Sequence, residues 1–371
     1  MRELFIGLMS GTSLDGVDGV LADFSGGTLA VLAHESHSFD APLKAELLAL
    51  NSPGDNELHR GALAANALMR VYARVTTKLL ATAHVDAAQV VATGAHGQTV
   101  RHRPQEFDAS GYTIQLCNGA LLAELTGIQV VCDFRSRDVA AGGQGAPLAP
   151  FFHRGAFGRD GEATGVLNIG GISNLTLLRA DGSMLGFDCG PGNGLMDAWC
   201  LQHRGEPFDN DGAWAASGKV NGELLAAMLR DAYFAKPPPK STGRDHFNAQ
   251  WLQGHVSNAP SGVLQPADVQ ATLAELTACA CAQEVKRLDP ALPRLVVCGG
   301  GALNGHLMQR LRSLLPGTKV IASSEAGLPP LQVEAAAFAW LARQCVQRES
   351  LPLESTTGAR GARVLGAIYP A

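Results

Sequence analysis

Charge is scarce in this sequence, and neither sign accumulates. Charged residues fill 17 % of its 371 positions, with 29 Lys plus Arg against 34 Asp plus Glu, a net −5 with His neutral. Without a basic surplus the chain lacks the electrostatic footprint of a nucleic-acid or anionic-membrane binder, so neither partner is expected. Long apolar runs are missing too. The run after Met1-Arg2-Glu3 is too short for a signal peptide. The uncharged stretch from Ala109 to Ala123 carries Gly, Asn, Gln and Ser and falls short of a spanning helix. There is no CxxC pair among the 8 cysteines; Cys279 and Cys281 lie two apart with no partners at zinc-site spacing. What remains is a cytoplasmic protein with buried, reduced thiols.

Apolar residues make up 46 % of the chain, ample for a large core, and the length suits two to three domains at ~150 residues each. Gly is over-represented, 43 residues or about 12 % against a usual ~7 %. No collagen period or Gly/Ser linker accounts for the surplus. The glycines sit at the ends of apolar runs, where a backbone must turn tightly or approach a ligand.

The pattern along the chain predicts a hairpin of strands Leu4–Met9 and Val17–Phe24 around the turn 10–16. A long helix follows over Glu57–Ala83, its stripe running through Leu58, Leu63, Leu68, Val71, Val75 and Leu79. Strand Gln89–Thr93, a helix near Asn118–Thr126 and strand Gln129–Asp133 come next. A Gly- and Pro-rich passage at 135–150 marks a domain boundary, after which the opening repeats in outline: strand Gly165–Ile169, turn 170–174, strand Leu175–Arg179. An offset of 160 residues lays Gly11 on Gly171 and Ser13 on Ser173, the signature of internal duplication. Strand Ser183–Asp188, helix Asn193–His203, a polar insertion around 236–244, helix Asp268–Leu288 and strand Arg294–Cys298 follow. Helix Ala302–Leu315, strand Lys319–Ala322, helix Leu331–Gln347 and strand Val364–Tyr369 complete the chain. Alternating strands and helices imply two α/β halves, each with a sheet covered on both faces, and a cleft between them.

Three glycine turns, at 10–16, 170–174 and 299–304, can present inward-pointing backbone N–H groups to phosphate. One alone reads as a tight turn; three in a duplicated chain point to a nucleotide. The Walker loop is absent: the nearest approach runs from Gly212 to Gly218-Lys219 and ends in Val220, without the hydroxyl that Mg²⁺ needs. A Rossmann reading of Gly299-Gly300-Gly301, with Glu325 as the ribose acid, ranks well behind because Asn304 replaces the third glycine and too little chain remains for a full half-pair. Asp188 is the outstanding carboxylate. It ends an apolar strand beside Gly190-Pro191-Gly192 and reads as the base of a phosphoryl-transfer site or as a helix N-cap, for which Asn193 is better placed. Asp15 and Asp18 orient Mg²⁺ through water or stabilise their turn. His96, Gln98 and Thr99 follow a strand end and either hydrogen-bond a sugar or serve the fold. Arg135 and Arg137 bind a carboxylate or pair with Asp133 and Asp138, and Glu334 is a sugar ligand or a solvated helix residue.

With these residues in view, the chain resembles the anhydro-N-acetylmuramic acid kinase family of the sugar-kinase/actin/chaperone ATPase superfamily. The likeness rests on Gly7 to Asp18, Gly94 to Thr99, Asp133 to Pro147, Asn168 to Asn174, Gly186 to Asp197, Lys240 to Arg244 and Cys298 to Asn304. The resemblance implies an α/β fold of two duplicated ribonuclease-H-like domains, actin-like, with an interdomain cleft. The first domain would span 1–134 plus a segment near 355–371, the second 135–354. It implies ATP and Mg²⁺, with no residue assigned as a metal ligand, a homodimer, and a small sugar substrate. The reaction would turn 1,6-anhydro-N-acetylmuramic acid and water into N-acetylmuramic acid 6-phosphate and ADP during peptidoglycan recycling. Asp188 would be the base. Gly11, Thr12, Ser13, Leu14, Asp15, Gly16, Val17 and Asp18, then Gly170, Gly171 and Asn174, then Gly299, Gly300 and Gly301 would bind ATP. His96, Gln98, Thr99, Arg137 and Glu334 would bind the sugar. The alternatives are a sugar kinase that consumes no water and a non-catalytic relative, either an actin-like polymer or a sugar-responsive repressor. The repressor needs a basic helical module, for which a hairpin starting at residue 4 leaves no room.

Overall fold

A computed structural model describes residues 2–11, 14–27, 29–238, 240–243, 246–258 and 264–371. It divides into two compact units, Met1–Ala156 with Leu331–Ala371, and Phe157–Pro330. Unit 1 opens with the antiparallel strands β1 (Leu4–Met9), β2 (Gly16–Asp23) and β3 (Ala30–Ser38), in a register that sets Leu4 against Asp23 and Gly16 against Ser38. β3 extends the expected hairpin; its polar residues His34, Glu35 and His37 suit a sheet edge and give no apolar run. In helix α1 (Glu57–Ala83), Leu68, Val71, Tyr72, Val75 and Leu79 are buried at helical spacing, whereas Leu58 and Leu63 of the expected stripe face solvent. Strand β4 (Val90–Ala95) is followed by β5 (Gln98–Pro104) and β6 (Gly111–Leu116), a separate two-stranded sheet not anticipated from the pattern. Helix α2 (Gly119–Thr126), strand β7 (Val130–Cys132) and the short helix α3 (Ser136–Ala140) close this segment.

Unit 2 repeats the plan. Strands β8 (Thr164–Ile169), β9 (Ile172–Leu178) and β10 (Met184–Pro191) are antiparallel neighbours. Helices α4 (Gly194–Arg204) and α5 (Pro266–Leu288) lead to β11 (Arg294–Cys298), and α6 (Gly305–Leu314) to β12 (Lys319–Ala322). β11 lies parallel to both β8 and β12. Leu167, Leu175, Phe187 and Val297 from the sheet pack with Leu273, Leu276 and Val285 of α5 and Leu307 and Leu311 of α6.

The chain then returns to unit 1 as α7 (Val333–Val346) and β13 (Ala367–Tyr369). The sheet of unit 1 reads β13-β7-β4-β1-β2-β3 and that of unit 2 β10-β9-β8-β11-β12. Apart from the added edge strand β13, both have the same order and directions: three antiparallel strands, then two parallel to the first. This is the ribonuclease-H-like topology, present twice. The domain edges differ from expectation. The boundary follows Ala156 instead of lying within 135–150, and the return begins at Leu331, not near 355. Packing explains the second difference. Gly7 and Gly94 are register partners on β1 and β4. A Cβ on Gly7 would stand 1.9 Å from the Ala335 carbonyl oxygen, and one on Gly94 2.1 Å from that of Phe338. The two glycines form a trough that seats the backbone of α7, whose Ala335, Ala336, Ala339 and Ala342 are buried.

Candidate active site

Asp188 lies in β10 at a β-bulge: it pairs with Asn174, the next pair is Gly190 with Ser173, and Cys189 is the extra residue. A bulge re-aims side chains at a strand end. Asn168, Asn174 and Asp188 face one another across β8, β9 and β10. They alternate with Leu167, Leu175 and Phe187, which enter the core, so strand periodicity puts this polar row on the opposite face. Asn168 is buried, and its Oδ1 has no hydrogen-bond partner among the described residues. An acceptor in that state costs free energy unless something donates to it or it ligates a cation.

The glycine loops of unit 2 converge beside this row. The backbone N–H groups of Gly192 and Gly194 donate to Gly171 O at 3.0 and 3.1 Å, and that of Asn193 donates to Gly170 O at 2.7 Å. Asn193 Nδ2 donates to Ile169 O at 3.0 Å. The expected cap therefore has other work: Asn193 makes no side-chain cap on α4 and instead ties the β8–β9 turn to the β10–α4 turn. Gly299, at φ +75°, comes so near β8 that a Cβ would stand 2.4 Å from Asn168 Oδ1. From α5, Thr277 Oγ1 donates to Pro191 O and Gly192 O at 3.1 Å each.

A buried clamp holds Asp188. Thr242 N–H donates to its Oδ2 at 2.9 Å, its own N–H donates to Lys240 O at 3.0 Å, and Tyr233 Oη donates to its carbonyl at 2.7 Å. Lys240 is buried; its Nζ donates to Glu284 Oε1 at 2.7 Å and lies 4.7 Å from the centre of the Tyr233 ring. Arg287 pairs with the other oxygen of Glu284. Asn168, Tyr233, Lys240 and Glu284 were not among the expected site residues. Only an Asn closing a buried strand and the Lys240 motif hinted at two of them.

In unit 1, His96 follows β4 and is buried. Arg135 donates to its Nε2 from Nε and Nη2 at 3.2 and 2.9 Å, so the ring proton sits on Nδ1 and is donated to Ser10 O at 3.2 Å. Both ring nitrogens are thus occupied within unit 1, which leaves His96 no free ring nitrogen for a sugar. Burial, then the Arg135 charge, pushes its pKa down to about 3. His153 is driven to about 3 by burial. As pH falls below ~6.5 the unfolded chain protonates at these histidines while the folded chain does not. Their stabilising contribution is complete above ~6.5 and is lost as pH falls toward 3. Urea midpoints should drop steadily below ~6.5. Histidine NMR should show His96 neutral down to about pH 3; an imidazole titrating near 6.5 would contradict this burial.

Gln98 is buried, donating from Nε2 to Gly11 O at 3.1 Å and leaving Oε1 without a partner among the described residues. Ser10 Oγ donates to Gly97 O at 3.0 Å and meets Tyr72 Oη at 2.9 Å, so the 10–16 and 96–99 loops form one cluster. Thr99 Oγ1 accepts from Gln115 Nε2 at 3.3 Å. Thr12 and Ser13 lie outside the described residues. Leu14 is buried at φ +56°, and Val17 is buried. Gly16 packs against β3, where a Cβ would stand 2.3 Å from His37 O. Asp15 faces Lys44 at 3.5 Å and Asp18 faces His34 at 3.7 Å, both at the surface. Arg137 does not join the 96–99 loop. Two residues beyond Arg135, it points to the other side of α3, into a groove with Arg348 and Arg363. Glu334 is exposed in the first turn of α7.

The ribonuclease-H-like sheet present twice gives the chain an actin-like fold. The family model described as anhydro-N-acetylmuramic acid kinase matches residues 3–371. A relative of that name from Variovorax paradoxus is 64 % identical, covering 100 % of this chain and 99 % of its own. One from Albidiferax ferrireducens is 62 % identical with 100 % of both chains covered. The chain belongs to the anhydro-N-acetylmuramic acid kinase family. A solved structure, the activator of the 2-hydroxyisocaproyl-CoA dehydratase from Clostridium difficile with bound ADPNP, aligns at 14 % identity and TM-score 0.49, covering 94 % of this chain and 98 % of that one.

Proposed function

We propose that the protein is an ATP-dependent kinase that converts 1,6-anhydro-N-acetylmuramic acid and water to N-acetylmuramic acid 6-phosphate and ADP. The observation that carries this reading is Asp188, fixed by Thr242 N–H beside the converging glycine loops of unit 2, in a chain of this family. Water attacks C1, the C1–O6 bond of the bridge breaks, O6 takes the γ-phosphoryl group, and Asp188 accepts the proton from water. The loop from Gly11 to Asp18 and the turn Gly170-Gly171, with Asn174, hold the ATP phosphates; Gly299, Gly300 and Gly301 hold the adenosine. Gln98, Thr99 and Glu334 contact the sugar. The unpartnered acceptor on Gln98 fits a sugar hydroxyl.

Mg²⁺ fits the donors present. It prefers oxygen, keeps several waters and needs only one or two protein ligands beside substrate phosphates. The polar row offers the unpartnered Asn168 Oδ1, Asn174 Oδ1 and the Asp188 carboxylate, and no cluster of three His, Cys, Asp or Glu exists among the described residues. When bound, the ion neutralises charge on the transferring phosphoryl group. The homodimer, the cytoplasmic location and the recycling role belong to the same reading. Among the described residues no helix is long and apolar enough to cross a membrane.

The test is turnover with ATP, Mg²⁺ and the anhydro sugar in ¹⁸O-labelled water, read by mass spectrometry. The expected product gains a phosphate and one ¹⁸O at C1. Phosphate without label indicates a sugar kinase that consumes no water, and no product with ATP bound indicates a non-catalytic relative.

A further inference from the structure

Unit 1 carries a cationic groove of about 720 Å³ that the proposed reaction leaves unused. Arg137, Arg348 and Arg363 line it with Ser350, Cys345 and Ile368, and no carboxylate contributes to the lining. Among the described residues the side chains of Arg137 and Arg348 make no hydrogen bond or ion pair, and that of Arg363 donates only to the adjoining Ala362 O, at 2.7 Å. Three like charges share one concavity without a counter-ion, which is repulsive. Arg60, Arg101, Arg310 and Arg343 all meet a glutamate.

The backbone beneath them is fixed. Arg137 precedes Asp138, a buried carboxylate that accepts from Gly145 N–H at 2.6 Å and Thr357 Oγ1 at 2.5 Å. Arg363 and Leu351 exchange backbone hydrogen bonds of 2.8 and 3.1 Å, which also places the adjoining Ser350. Arg348 follows α7 at φ +60°, the left-handed position where helices ordinarily end in Gly. The cap is satisfied by backbone bonds from Arg348 N–H to Cys345 O at 3.1 Å and from Glu349 N–H to Gln344 O at 2.9 Å, which fixes where the Arg348 side chain starts. Between this groove and His96 stand the buried rings of Phe134 and Phe338, 5.5 Å apart, with Phe338 4.7 Å from the His96 ring.

We propose that this groove is a second anion site, separate from the substrate site, which takes the phosphate dianion of a small phosphate ester. Guanidinium forks bind phosphate oxygens in pairs, three of them match a charge of −2 better than a lone carboxylate, and the Cys345 and Ile368 floor accepts the ester's body. The volume is that of a small-molecule pocket.

The test is calorimetric titration of the full chain with inorganic phosphate, with N-acetylmuramic acid 6-phosphate and with N-acetylmuramic acid, each with a non-hydrolysable ATP analogue present at saturation. Variants are Arg348→Ala, Arg363→Ala and, to remove charge at little structural cost, Arg363→Gln. Phosphate or the phosphate ester should bind wild type saturably and the variants about tenfold or more weakly, while KM for ATP and the anhydro sugar is unchanged. Tighter binding of the ester than of phosphate identifies the ester as the source, and equal binding identifies free phosphate. Binding that the variants do not weaken overturns the proposal. So does a raised KM for the sugar, which would make the groove part of the substrate site. Failure of the kinase reading would show instead as absent turnover with the phosphate titrations unaffected.

Discussion

Asp188→Asn is expected to lower kcat by about 10²–10⁴-fold while the protein folds as before. The substitution keeps size and shape, and Asn can still accept the Thr242 N–H that now meets Oδ2 at 2.9 Å. The backbone bonds to Lys240 O and from Tyr233 Oη do not involve the side chain and persist. What is lost is the acceptor for a proton. Melting temperature and circular dichroism should match wild type, KM for ATP should stay within about twofold, and both phosphate and ¹⁸O incorporation should fall together. A kcat within tenfold of wild type would remove Asp188 from the base role. Loss of phosphate transfer with retained ring opening would separate two steps that the proposed mechanism couples.

Local chemistry made the scaffold of this site legible. Leu4–Met9, Glu57–Ala83, Arg294–Cys298 and Lys319–Ala322 stand where apolar periodicity places them, because each buries a face whose spacing is written in consecutive residues. The Gly11/Gly171 correspondence anticipated two sheets of one order. The β5–β6 hairpin was not legible: Arg101, His102, Arg103 and Tyr112 lie on a two-stranded surface sheet and show no apolar alternation. The allegiance of α7 was hidden for another reason. Its fit into the Gly7–Gly94 trough depends on residues more than 200 positions away in sequence, 333 against 94. Asp188 could be singled out from its strand end, but not its support. A lysine in a Pro-rich polar stretch reads as solvated, and the glutamate that makes its burial tolerable comes 44 residues later.

Lys240→Met should cost about 3–5 kcal/mol of stability, the usual penalty for removing one partner of a buried ion pair. Lys240 and Glu284 side chains are only 2 % and 6 % exposed, so solvent does little to screen what is left behind. Arg287 still reaches Glu284, which puts the expected loss at the lower end of that range. The effect on turnover follows from the backbone. Lys240 O receives the Asp188 N–H, and two residues on, Thr242 N–H holds the carboxylate, so releasing the side chain loosens both constraints on the base. A second variant separates packing from placement. Replacing both partners, Lys240→Met with Glu284→Met, substitutes an apolar contact for the pair and should restore stability to within about 2 kcal/mol of wild type. Methionine at position 240 cannot donate to the Tyr233 carbonyl, which Nζ approaches at 3.4 Å. Segment 240–243 then keeps its burial but loses its directional anchor, and kcat should stay about tenfold or more below wild type with KM for ATP little changed. Denaturant titration and steady-state kinetics on the two variants decide it: recovery of kcat in step with stability would reduce the ion pair to packing, whereas stability without turnover makes Lys240 a positioning residue for Asp188.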